Sequence, residues 1–184
     1  VASSRLLMTT NVGVWGRDAV VSSVATIENE EYRGAVIDFG EYALELRAYN
    51  DGVAYRFISN YCGEYEAIDE VVEFAFDADD MAWIPYTNYR PDATTDYATQ
   101  YETSFENVYV YTAIKDIDWR RLIFAPVVVE HNDLKLWISE SNLEGYPGMF
   151  FSNRDGNGIL DTEFAPRPKE VEQGGHNMLQ GMVK

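Results

Sequence analysis

The chain has 184 residues, 46% of them apolar and 14% aromatic, which is enough for one substantial core and too apolar for a disordered chain. It carries 31 acidic against 14 basic residues, a net charge of −17. That charge repels a phosphate backbone and an anionic bilayer alike, so no nucleic acid and no membrane surface is expected as a partner.

Val1-Ala2-Ser3-Ser4 opens without the charged start and apolar run of a signal peptide, so any export signal would lie upstream, and no first hairpin is visible. Strands are predicted at 19–27 and 32–39. At 42–48, Leu44, Leu46 and Ala48 alternate with Glu45 and Arg47, the pattern of a sheet with one wet face. Asn50-Asp51-Gly52 then turns the chain, and Val53, Tyr55 and Phe57 alternate with Arg56 in the return strand, so a hairpin is predicted. Cys62 is the single cysteine and reads as a buried thiol; no internal disulfide can form, and with two His there is no Cys/His set for a structural zinc.

Further strands are predicted at 70–76, 105–111, 122–130, 134–139, 149–152 and 159–164, with a long polar loop over 87–103 that contains Pro91. No window sustains a helical stripe over three turns, and no run approaches 18 apolar residues. The predicted class is all-β, an antiparallel sandwich over 1–165. From Pro166 the composition changes to a charged and Gly-rich tail, so 166–184 is predicted to be a connector leading away from the domain.

Candidate chemistry is sparse. Asn153 to Asp161 resembles half of an EF-hand loop, but position 12 would be Phe164 where a bidentate Glu is needed, so a turn between strands is the better reading. Asp77 with Asp79, or Asp116 with Asp118, could pair as acid and base, but such pairs arise by chance among 31 acids. His131 reads as a turn residue, and no Gly-x-Ser-x-Gly nucleophile motif or Gly-rich phosphate loop is present. Trp83-Ile84-Pro85-Tyr86-Thr87-Asn88-Tyr89 offers an aromatic and amide edge that could contact a sugar; ordinary core packing of Trp83 remains open. The segment 137–150 is the most informative, because an apolar strand runs into Glu140 and then into a polar loop closed by Pro147 and Gly148. Such a loop is a common place to present an oxygen ligand outward.

These residues, with others in the same order, resemble the N-terminal domain of glycoside hydrolase family 97, the α-glucosidases and α-galactosidases. The resemblance is carried by Ser4-Arg5-Leu6, by Tyr49 through Phe57, and by Ala82-Trp83-Ile84-Pro85 with Asn88-Tyr89. It continues through Ile138-Ser139-Glu140-Ser141-Asn142-Leu143, Tyr146-Pro147-Gly148-Met149, Phe164-Ala165-Pro166 and Gly174-Gly175. It implies a large antiparallel super-sandwich of the galactose-mutarotase-like type, short of its opening strands, that packs on a C-terminal (β/α)8 barrel holding the catalytic residues. No catalytic residue is expected in this chain. Glu140 is expected to reach the Ca2+ of the barrel's active site, and Trp83, Asn88 and Asn142 to contact the oligosaccharide or α-glycoside. The family also implies a periplasmic or secreted location. Bare of barrel and opening strands, the chain would expose an edge and a face, and self-association is an expectation.

The leading expectation is therefore a non-catalytic domain of a calcium-dependent, exo-acting α-glycosidase. An independent carbohydrate-binding sandwich is the alternative, and an autonomous hydrolase using its own carboxylates is a distant third.

Overall fold

A computed structural model describes residues 6–88, 97, 100–101, 104–168 and 182–183. Among these residues there is no α-helix, and the chain is all-β, with antiparallel pairing within each unit. Contacts divide it into a unit spanning Leu7–Ile68 and a larger one that takes in Leu6 and continues from Asp69.

The smaller unit holds the hairpin β1 (Leu6–Thr10) and β2 (Gly13–Trp15), which was not visible in the sequence because its second strand is three residues long. A four-stranded meander follows: β3 (Ser23–Glu28), β4 (Arg33–Asp38), β5 (Tyr42–Ala48) and β6 (Val53–Ser59). The β5–β6 register runs from Tyr42↔Ser59 to Ala48↔Val53, and the Tyr49 N–H closes the Asn-Asp-Gly turn on the Gly52 carbonyl at 2.8 Å. Trp15 stacks on Tyr42, with Phe57 and Tyr65 tilted against it, so this unit is packed mainly by aromatic faces.

One expectation is reversed here. Glu45, read as facing water, is buried, while Leu46 is exposed. The cause is a charge clamp: Arg47 donates to Glu45 Oε1 at 2.8 Å and Arg56, directly across the ladder, to Oε2 at 2.5 Å. Cys62 is exposed, which corrects the buried thiol; it falls in an open stretch after β6.

In the larger unit two sheets enclose the core. One orders its strands β12 (Leu134–Ile138), β11 (Val127–His131), β8 (Met81–Ile84), β9 (Val110–Ala113). The other contains, in order, β10 (Ile123–Phe124), β13 (Met149–Ser152), β14 (Ile159–Phe164) and β7 (Ala67–Ala75). Their inner faces meet in a cluster that includes Ala82, Ile84, Val127, Val129, Phe151 and Leu160. Burying each of the larger side chains contributes about 1.5–3 kcal/mol.

The run predicted as one strand over 122–130 is two, in different sheets. Ile123–Phe124 pairs with β13, and Val127–His131 pairs with β12 and β8. Pro126 has no N–H to give a ladder, and the chain crosses between sheets there. The strand predicted at 105–111 begins only at Val110; Phe105 itself, with φ 57°, is not extended backbone. A last two-residue pair joins β15 (Arg167–Pro168) to β16 (Met182–Val183). Most of the predicted connector, 169–181, and most of the predicted loop, including 89–96, lie outside the described residues.

Candidate functional site

Glu140 follows β12 by two residues, at the start of a strand-free segment that ends where β13 begins. Its Oε2 accepts the Met149 N–H at 2.6 Å, so the carboxylate closes its own loop. Within that loop Asn142 takes φ 58° and Gly145 φ 66°, and the Glu144 N–H donates to the Asn142 carbonyl at 2.8 Å. Asn142 is exposed and two residues beyond Glu140. The loop returns through Tyr146, whose hydroxyl donates to Glu70 Oε2 on β7 at 2.5 Å and whose ring stands edge-on to Phe164.

Glu70, Glu140, Tyr146, Pro147 and Met149 border one small space of about 10 Å³, room for a single water. Burial pushes the Glu140 carboxyl above its usual range, opposed by the Met149 N–H and reinforced by the negative charge of Glu70. Glu70 is likewise raised by burial, while the Tyr146 hydroxyl lowers it and Asp69 raises it further. Two carboxylates thus share a half-buried corner in which negative charge is costly. The Glu140 oxygen turned away from Met149 takes no hydrogen bond among the described residues.

Trp83 is not a core residue. It stands on the outer face of its sheet, 41% exposed, beside Tyr111 at 46%, with ring centroids 4.7 Å apart. The registers Trp83↔Tyr111, Val128↔Trp83 and Val128↔Trp137 put Trp137, 72% exposed, in the same row two strands away. Glu130 holds this row in place: the Trp83 indole N–H reaches Oε1 at 3.4 Å, the Tyr111 hydroxyl Oε2 at 2.7 Å, and Lys135 Oε1 at 2.8 Å.

Asn88 lines a different feature, an open cleft of about 500 Å³ bordered also by Tyr86, Glu106, Asn107, Val108, Val110 and Arg121. Arg121 lies over the Tyr86 ring at 4.3 Å and donates to the Thr87 carbonyl at 2.6 Å. The cleft and the space at Glu140 share no lining residue. Glu140 and Asn142 are neighbours along one loop, whereas Trp83 and Asn88 mark two other places on the unit.

Glu70 and Tyr146 were not singled out from the sequence as a pair, being 76 residues apart. Another grouping was equally hidden: His131 Nδ1 lies 2.9 Å from Asp80 Oδ2 and 3.8 Å from Asp77 Oδ2. With the Asn132 amide 3.0 Å from its other ring nitrogen, the imidazole ties the turn before β8 to the end of β11. The segment resembling half a calcium loop is a turn between β13 and β14, with Asn153 directed inward to the Ile114 carbonyl at 2.8 Å.

Residues 16–179 match the profile of the family described as Glycosyl-hydrolase 97 N-terminal. The chain is also 36% identical, over 199 aligned positions, to a retaining alpha-galactosidase of Bacteroides thetaiotaomicron. That alignment covers 98% of this chain and 30% of the relative, so the chain spans under a third of that enzyme's length.

Proposed function

Because this chain belongs to the glycosyl-hydrolase 97 N-terminal family, we propose that it is the non-catalytic N-terminal domain of a calcium-dependent, exo-acting α-glycosidase, exported to the periplasm or beyond. In this reading a C-terminal barrel of the same polypeptide breaks the glycosidic bond. The chain contributes Glu140 to that barrel's Ca2+, and Asn142, Asn88 and Trp83 to the surroundings of the sugar. The relative's activity makes an α-galactoside the first substrate to try, ahead of an α-glucoside.

The single observation that supports the role of Glu140 is its split carboxylate. One oxygen is fixed by the Met149 N–H, and the other, with no hydrogen bond among the described residues, is the one we assign to the ligand. Ca2+ takes six to eight oxygens, so one carboxylate would be a minority of its shell, and the isolated chain should bind it weakly. The metal would supply Lewis-acid polarisation at the bond being broken; the part of this chain is to hold one oxygen ligand at a fixed point. The test is Glu140→Gln in the full-length protein. Gln keeps an oxygen for the Met149 N–H while removing the charge. Ca2+ affinity by calorimetry should fall at least about tenfold, with the unfolding midpoint in chelator unchanged. Wild-type affinity in that variant would remove the assignment.

The exposed row Tyr111–Trp83–Trp137 favours a second reading, an independent carbohydrate-binding sandwich. Aromatic faces at this spacing can pack on the apolar face of a sugar ring. It predicts that the isolated chain binds neutral oligosaccharides in calorimetry and that Trp137→Ala abolishes binding. No heat with the wild-type chain at millimolar sugar eliminates it.

A further inference from the structure

A metal ligand on a loop is only as good as the loop's rigidity, since an unfixed segment must be ordered before it can coordinate. The segment carrying Glu140 has two anchors. The first is the Glu140–Met149 contact. The second is Tyr146, whose hydroxyl donates to Glu70 at 2.5 Å, a short charge-assisted bond, while its ring packs edge-on to Phe164 at 5.4 Å.

Glu70 is a firm post for such an anchor. Thr162 on β14 donates its hydroxyl to the Glu70 carbonyl at 3.1 Å and accepts the Val72 N–H at 2.7 Å. β7 is therefore cross-tied to β14 on both sides of position 71, and the Glu70 side chain leaves from a fixed backbone. Glu70, Tyr146 and Glu140 then converge on the same small space.

We propose that Glu70 and Tyr146 are positioning residues for Glu140. Their hydrogen bond sets the loop so that Glu140 keeps one oxygen on Met149 and presents the other for coordination. This rests on Glu140 being a metal ligand, as proposed above. Neither Glu70 nor Tyr146 touches the metal; both act through the loop, as outer partners do in metal sites generally.

The experiment uses chelator-stripped full-length protein, Ca2+ titration by calorimetry, and hydrogen exchange at the Met149 amide without metal. Tyr146→Phe and Glu70→Ala should each weaken Ca2+ binding at least about tenfold and speed Met149 exchange. Glu70→Gln retains an acceptor oxygen for the tyrosine and should stay within about threefold of wild type. Should Glu70→Ala fail to fold, Tyr146→Phe decides alone. If Glu140→Gln loses Ca2+ affinity while Tyr146→Phe keeps it, the positioning role is overturned and the ligand role stands. If Glu140→Gln keeps wild-type affinity, both fall together. Equal losses in Glu70→Gln and Glu70→Ala, or lost affinity with unchanged Met149 exchange, also overturn the proposal, because the effect would then not run through the hydrogen bond and the loop.

Discussion

Gly158 lies so close to Phe76 that a side-chain carbon at position 158 would sit 2.7 Å from the Phe76 carbonyl oxygen, while the Phe76 N–H donates to the Gly158 carbonyl at 2.9 Å. With φ 82° as well, any other residue at this position is strained on two counts. Gly158 in the Asp-Gly-Asn-Gly run is thus explained by how tightly the β13–β14 turn presses on the end of β7.

Gly158→Ala should therefore cost about 1–3 kcal/mol, lowering the urea midpoint with the slope unchanged. Asp155→Ala should leave stability and any Ca2+ response as they are. A Ca2+-induced rise in melting temperature that disappears in Asp155→Ala would show that the turn binds a cation after all.

Aromatic residues in the larger unit should divide by face. Phe151 is fully buried, edge-on to Phe74, and Phe151→Ala is expected to cost about 3–5 kcal/mol in denaturant unfolding. Trp137→Ala, on the outer face, should change stability by no more than about 0.5 kcal/mol. A large loss at Trp137 would mean that this face is already packed against something in solution.

Acid should act on the smaller unit through Glu45. Its hydrogen bonds to Arg47 and then Arg56 hold the carboxyl below its ordinary value of 4.5, against the opposing effect of burial. A depressed carboxyl contributes stability that is fully present above the unfolded-state value and is lost as pH falls through the folded one. Melting temperature measured from pH 7 to pH 3 should hold down to about 4.5 and then drop, and Glu45→Gln should flatten that drop while lowering the plateau. An unchanged acid limb in Glu45→Gln would exclude the clamp as its source.

What the sequence revealed and what it hid follow physical lines. The β5–β6 hairpin was legible because turn chemistry and strand period agree over 42–59. The burial of Glu45 was not, since its two arginine partners come from different positions and only the ladder brings them together. β8 escaped because Met81–Ile84 is four apolar residues with no alternation, which left Trp83 without a strand to assign its face. The break at Pro126 could have been read, because a proline inside an apolar run argues against one continuous strand. At the candidate site, Glu140 and its loop were visible through the resemblance, whereas Glu70 is supplied by a strand far away in sequence and carries no local pattern of its own.

The distribution of indoles has a practical consequence. Of the four tryptophans, Trp15 is packed within the aromatic cluster of the smaller unit, while Trp83, Trp119 and Trp137 are exposed on the larger one. The molecule consequently carries its own optical label. Emission from the larger unit should be red-shifted and open to quenching by acrylamide, and Trp15 should be shielded. Whatever covers the Trp83–Trp137 row, whether a sugar chain or another part of the polypeptide, should announce itself as a blue shift without any dye being attached.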